Sequence, residues 1–127
     1  MGTRSTVHFY DSGSHVLSVY QQYDGYPESV GSELSTFLNK GDILNGFTSS
    51  DQLDFNGMTC LAAQFVATFK KSIGGLYITN KKDFQEFNYH VYYENKELSI
   101  LVRDENKKII FRGGKLTFQL WCDSHKR

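Results

Sequence analysis

The chain has 127 residues, with 14 basic and 14 acidic side chains and a formal net charge of zero. A length of that order suits one domain, which buries roughly two thirds of the surface its unfolded form exposes. Charge balance removes the attraction behind most non-specific nucleic-acid binding, so a general DNA or RNA binder is excluded.

The remaining composition narrows the class further. Cys60 and Cys122 lie far apart, and the histidines at 8, 15, 90 and 125 show no paired ligand spacing. No metal and no cofactor are therefore expected. Met1-Gly2-Thr3-Arg4-Ser5 leads straight into a strand pattern without the charged start and apolar run of a secretory leader. A cytoplasmic location, free thiols and no membrane partner follow as expectations.

Val7 and Phe9 alternate with Thr6, His8 and Tyr10, a strand rhythm that Asp11-Ser12-Gly13-Ser14 ends in a turn. Val16, Leu17, Val19 and Tyr20 continue it, giving an N-terminal hairpin. Pro27 suits a first helical turn, and Val30, Leu34, Phe37 and Leu38 fall at the spacing of one buried face, so a helix is predicted over 27–40 with Gly41 as its stop. Residues 42–56 mix glycine, serine, threonine and aspartate and read as an irregular loop. Met58, Leu61, Ala62, Phe65, Val66 and Phe69 predict a second helix over 57–72, ended by Gly74-Gly75.

From Gly75 the pattern is all strand. Leu76, Tyr77 and Ile78 form a short one; Phe87, Tyr89, Val91 and Tyr93 alternate with Asn88, His90, Tyr92 and Glu94, and Leu98, Ile100 and Val102 with Ser99, Leu101 and Arg103. Turns are expected at Glu94-Asn95-Lys96-Glu97 and Asp104-Glu105-Asn106-Lys107. Ile109, Ile110 and Phe111 make the next strand, and Leu116, Phe118, Leu120 and Cys122 alternate once more before a solvated tail at 123–127. The order ββααββββ over a single domain, 1–127, predicts an α+β two-layer sandwich. Its antiparallel sheet of about five to seven strands would carry two amphipathic helices on one face.

Two places attract functional side chains. The strand-to-helix junction holds Gln21, Gln22, Tyr23, Asp24 and Tyr26, with Arg4 on the neighbouring strand. Asp24-Gly25 before Pro27 fits a turn whose aspartate accepts from N–H groups at the helix start. These residues are also the expected lining of an anion-friendly ligand pocket. The sheet face turned away from the helices is expected to expose Asn88, His90, Tyr92, Arg103, Gln119 and Trp121, a composition typical of an interface or of a stacking platform for a flat ligand. Ser5 and His8 fall on opposite strand faces and form no catalytic pair. An enzyme would have to use Asp24 with Arg4 or His90.

Three stretches carry a resemblance: Gly2-Thr3-Arg4-Ser5, Tyr20-Gln-Gln-Tyr-Asp-Gly-Tyr-Pro-Glu with Val30-Gly31, and the segment from Asn56-Gly57 to Phe69 followed by Gly74-Gly75-Leu76-Tyr77. Together they resemble a family of small proteins found in bacteria, bacteriophages and large DNA viruses, over nearly the whole chain. The shared stretches bring no activity with them. The resemblance implies a lineage moving with mobile genomes, and with it an accessory factor that binds a host protein or a host signalling molecule. The expectation is thus a non-catalytic, homo-oligomeric protein that binds or sequesters a small anionic or nucleotide-like ligand. A small hydrolase and a protein-interaction module acting through the sheet face are the alternatives.

Overall fold

Residue alternation sorts the strands into two faces, and that sorting organises the computed structural model, which describes residues 3–44 and 55–125. The strands are β1 (Ser5–Asp11), β2 (Ser14–Gln21), β3 (Ile43–Leu44), β4 (Phe55–Asn56), β5 (Tyr77–Thr79), β6 (Phe87–Glu94), β7 (Glu97–Asp104) and β8 (Ile109–Gly113). The helices are α1 (Ser32–Leu38), α2 (Gly57–Phe69) and α3 (Lys115–Asp123), and a wide π turn over Pro27–Gly31 leads into α1. One six-stranded sheet has the order β5-β2-β1-β6-β7-β8, and β3 and β4 form a separate parallel pair. The expected α+β class holds, with the helices on one face.

The sheet is antiparallel except at its centre, where β1 and β6 run parallel. A parallel pair needs a long crossover. Here that crossover includes β2, α1, α2 and β5, so two of the three helices of that layer belong to the connection, and α3 joins them after β8.

Val7 and Phe9 of β1, Val19 of β2, Tyr89 and Val91 of β6, and Ile100 and Val102 of β7 point into that layer and are buried with Leu34, Phe37, Leu38, Met58, Leu61, Phe65 and Phe118. Phe65 of α2 meets Phe9 edge-on at 5.1 Å, and Phe118 of α3 meets Tyr89 at 6.3 Å. Aromatic pairs of this kind add about 0.5–1.5 kcal/mol to the burial of their area. The strong helical periodicity of α2 therefore locates the centre of the core.

Three expectations need correction. Residues 115–123 form α3 rather than a last strand. Its Phe118 and Cys122 are buried while Leu116 and Leu120 are 73% and 68% exposed, so the apparent alternation is two i,i+4 pairs on different helix faces. Trp121 consequently belongs to the helical layer, 5.2 Å from Phe111, and not to the far face of the sheet. The first helix divides into the π turn and a shorter α1, with Gly31 N–H donating to Tyr26 O at 3.2 Å. Of the irregular segment 42–56, Ile43–Leu44 pairs in parallel with Phe55–Asn56, and residues 45–54 lie outside the described residues.

Candidate functional site

The junction is built by backbone contacts. Gly25 N–H donates to Thr3 O at 3.0 Å, and Gly25 O accepts from the buried Tyr89 hydroxyl at 2.8 Å. A Cβ on Gly25 would stand 2.7 Å from Ser5 Cβ, so only glycine fits. Asp24 takes φ +59°, and its carbonyl, not its carboxylate, accepts from Val30 N–H at 3.2 Å. The π turn has no side-chain cap. Asp24 shapes the turn without the capping bond expected of it.

The other junction residues do not converge. Arg4 is exposed and in no ion pair among the described residues; its backbone N–H meets Glu86 Oε1 at 3.4 Å. Tyr23 is 58% exposed, and the Tyr26 ring lies 6.3 Å from Phe87. Gln21 Oε1 is buried without a partner, and Gln22 is half-buried. No contact joins Asp24 to Arg4 or His90 among the described residues, so the carboxylate-based catalytic set is not assembled. Two clefts, of about 290 and 190 Å³, lie elsewhere, the first between α1 and α2 and the second beside β3.

The far face of the sheet is where polar side chains gather. Thr6, His8 and Tyr10 of β1 stand beside Asn88, His90 and Tyr92 of β6, because the parallel register pairs them in that order. A β-bulge opposite Phe9/Tyr10 adds one residue to β2, which brings His15 onto the same face as Ser18. A hydrogen-bonded row results, and its polarity is fixed at one end by backbone. Gln85 N–H can only donate, and it reaches Asn88 Oδ1 at 2.8 Å; Gln85 O can only accept, and it takes Asn88 Nδ2–H at 2.8 Å. Thr6 O–H must then donate to Asn88 Oδ1, at 2.7 Å. Its oxygen accepts His8 Nε2–H at 2.8 Å, so neutral His8 Nδ1 accepts Ser18 O–H at 2.6 Å. Ser18 Oγ in turn accepts His15 Nε2–H at 2.6 Å.

Burial keeps this row neutral. Burial first, and His15 second, lower the His8 pKa to about 4, against an opposing pull from Asp83. Burial, then His8, then Arg103 lower that of His90 to about 3. His90 is 4% exposed, and neither of its ring nitrogens has a partner. The cover is the loop over residues 80–86, whose Phe84 ring stands 6.2 Å from His8 and 5.8 Å from His90. Asn88 and His90, expected to face out, are therefore enclosed.

Beyond Phe84 the row opens to solvent. His8 stacks on His90 at 4.8 Å and Tyr10 on Tyr92 at 4.7 Å, with interplanar angles of 15° and 14°. These separations match the distance between neighbouring strands, so the rings stand upright on the sheet. Tyr10 and Tyr92 are half-buried, and burial raises both phenol pKa values while Arg103 pulls each down; Arg112 also acts on Tyr92. Arg112, opposite Leu101, and Arg103, opposite Asn88, share this face, and neither guanidinium is in an ion pair among the described residues. Arg103 donates to Lys107 O at 2.8 Å.

Tyr92, His90 and Arg103 thus share one sheet face, with His90 enclosed, and Trp121 does not lie on it. The sequence reading passed over Thr6, His8, His15 and Ser18 as a set. The alternation that displayed Thr6, His8 and Tyr10 was visible, but the parallel register and the bulge that complete the row were not. Among the described residues, no group of three or more histidine, cysteine or acidic side chains is placed to hold a metal, and no helix is long and apolar enough to cross a membrane. The chain matches no protein-family model, no curated protein and no solved structure.

Proposed function

We propose that the protein is a non-catalytic binding protein that holds, and so sequesters, a small anionic or nucleotide-like ligand on the far face of its sheet. The observation that carries this is the upright Tyr10–Tyr92 ring pair, with rings 4.7 Å apart, beside two arginines that share no ion pair. Aromatic rings next to unpaired guanidinium groups suit a ligand with a flat body and an anionic end. An accessory role in a mobile genome is consistent with sequestration, since binding alone then suffices for effect. Arg4, Gln21, Gln22, Tyr23, Asp24 and Tyr26 do not enter this proposal, since they do not converge on one another at the junction.

Thermal shift and titration calorimetry against nucleoside mono-, di- and triphosphates and cyclic nucleotides test the proposal. At least one should raise the melting temperature, and Tyr92→Ala should remove the rise. Silence across the panel sinks it. A second reading has one observation in its favour: Ser18, His8, Thr6 and Asn88 stand in the order nucleophile, base and orienting groups, with Ser18 Oγ 2.6 Å from His8 Nδ1. Ser18 is wholly buried and His8 is a weak base, so binding is preferred. Labelling of Ser18 by a fluorophosphonate would reverse that preference.

A further inference from the structure

The ring row across the far face runs from strand to strand and stops abruptly. His15 packs edge-on against Tyr10 at 5.7 Å, and Tyr10 stacks on Tyr92 at 4.7 Å. The next strand over is β7, where the residue opposite Tyr92 is Ser99, small and exposed. No ring or cation among the described residues stands over that outer side of Tyr92, since its only ring neighbours are Tyr10 and His90. Strand spacing of about 4.8 Å puts a flat ring above Ser99 at stacking distance from Tyr92.

Charge around the gap is polarised. Along β7 on this face, Leu101 and Arg103 follow Ser99 in one direction, with Arg112 of β8 opposite Leu101; in the other direction comes Glu97, paired with Glu94 at the hairpin end. A ring above Ser99 thus has cations toward one end and carboxylates toward the other.

Resting on the binding function proposed above, we infer that the gap beside Tyr92, over Ser99, is the subsite for a single heteroaromatic ring. The ligand class is a mononucleotide-like molecule whose phosphate extends toward Arg112 and Arg103 and whose exocyclic amino donor faces Glu97 and Glu94. Stacking fixes the plane of the ring, the arginines fix its direction, and the carboxylates favour bases that present donors. The β7–β8 pairing ends at Ile100 opposite Gly113, so β8 adds no side chain beside Ser99.

The test is to let the protein fill its own subsite. Ser99→Tyr would extend the Tyr10–Tyr92 row by one ring at an exposed strand position where tyrosine is favoured. Calorimetry with AMP, GMP, CMP, UMP, adenosine and inorganic phosphate should show wild-type protein preferring the nucleotides that carry amino groups. Ser99→Tyr and Tyr92→Ala should each weaken that binding roughly tenfold or more, in line with the loss of one stacked base. Arg112→Gln should weaken AMP but leave adenosine unchanged. In the wild-type protein, nuclear Overhauser contacts from base protons should fall on the Tyr92 ring, which answers the question even if Ser99→Tyr fails to fold. Nucleotide binding with full affinity in a folded Ser99→Tyr protein, or without base contacts to Tyr92, overturns the subsite while leaving the binding function standing. Failure of every nucleotide and nucleoside to bind overturns both.

Discussion

The two faces of the central β1–β6 pair are made from alternate residues of the same strands, yet they solve opposite problems. Val7, Phe9, Tyr89 and Val91 meet the helices in a dry core in which one hydroxyl, that of Tyr89, reaches a backbone carbonyl. Thr6, His8, Asn88 and His90 are buried almost as deeply on the other side, but beneath a loop rather than a helix, and they are joined mostly by hydrogen bonds. An apolar face tolerates imprecise partners, because burial is non-directional. A polar face under cover must satisfy each donor and acceptor or lose about 1–3 kcal/mol for each failure. His90, with two idle nitrogens, is where that face is least satisfied.

Substitutions on the two faces should separate them. Phe65→Ala, in the helical layer against Phe9, Phe37 and Phe69, should lower unfolding stability by about 3–5 kcal/mol in urea titrations and leave residual ligand affinity intact in the folded fraction. A smaller loss would mean that the core collapses around the gap.

Acid should act on the far face alone. The folded-state pKa values of His8 and His90 are lowered from 6.5 to about 4 and about 3, so the unfolded chain binds more protons between those limits. Stability should be full above pH 6.5 and fall as pH drops toward 3, by an amount on the order of a few kcal/mol. His15, Asp83 and Arg103 face these rings and modulate the midpoints. His90→Phe keeps the stacked ring without its nitrogens, so it should flatten this acid limb and add about 1 kcal/mol at neutral pH. A steeper limb in that variant would contradict the assignment of His90 as a neutral, partnerless ring.

Asn88→Ala removes the group that fixes the polarity of the hydrogen-bonded row and should cost about 1–3 kcal/mol. It should also release the His8 tautomer, visible as a changed ¹⁵N pattern in the imidazole; an unaltered Nε2–H form would show that Thr6 alone sets it. The smallest effect belongs to neither face: Leu120→Gln, on the exposed side of α3, should change stability by no more than about 0.5 kcal/mol.

Much of the fold was legible because its periods are local. The face of α2 from Met58 to Phe69 and the hairpin of β6 and β7 follow from neighbours within a few residues. The failure at Leu116, Phe118, Leu120 and Cys122 has a physical cause, since a step of two repeated three times also places residues four apart, the spacing of a helix face. Only contact with Tyr89 and Phe111 distinguishes the buried pair from the exposed one. At the candidate site, Tyr92, His90 and Arg103 stood out by composition. His8, Ser18 and His15 did not, because their meeting depends on a bulge and a strand order that no local pattern records.

The sequence by itself determined an α+β chain, the position of its apolar helix and the core-facing side of β1, β6 and β7, since these rest on short-range periodicity and on the burial of apolar surface. The tertiary structure alone decided that β1 and β6 lie parallel, that Thr6 therefore meets Asn88, and that Tyr10 stacks on Tyr92. Contacts between residues more than eighty positions apart depend on register, and register is an outcome of the whole packed sheet.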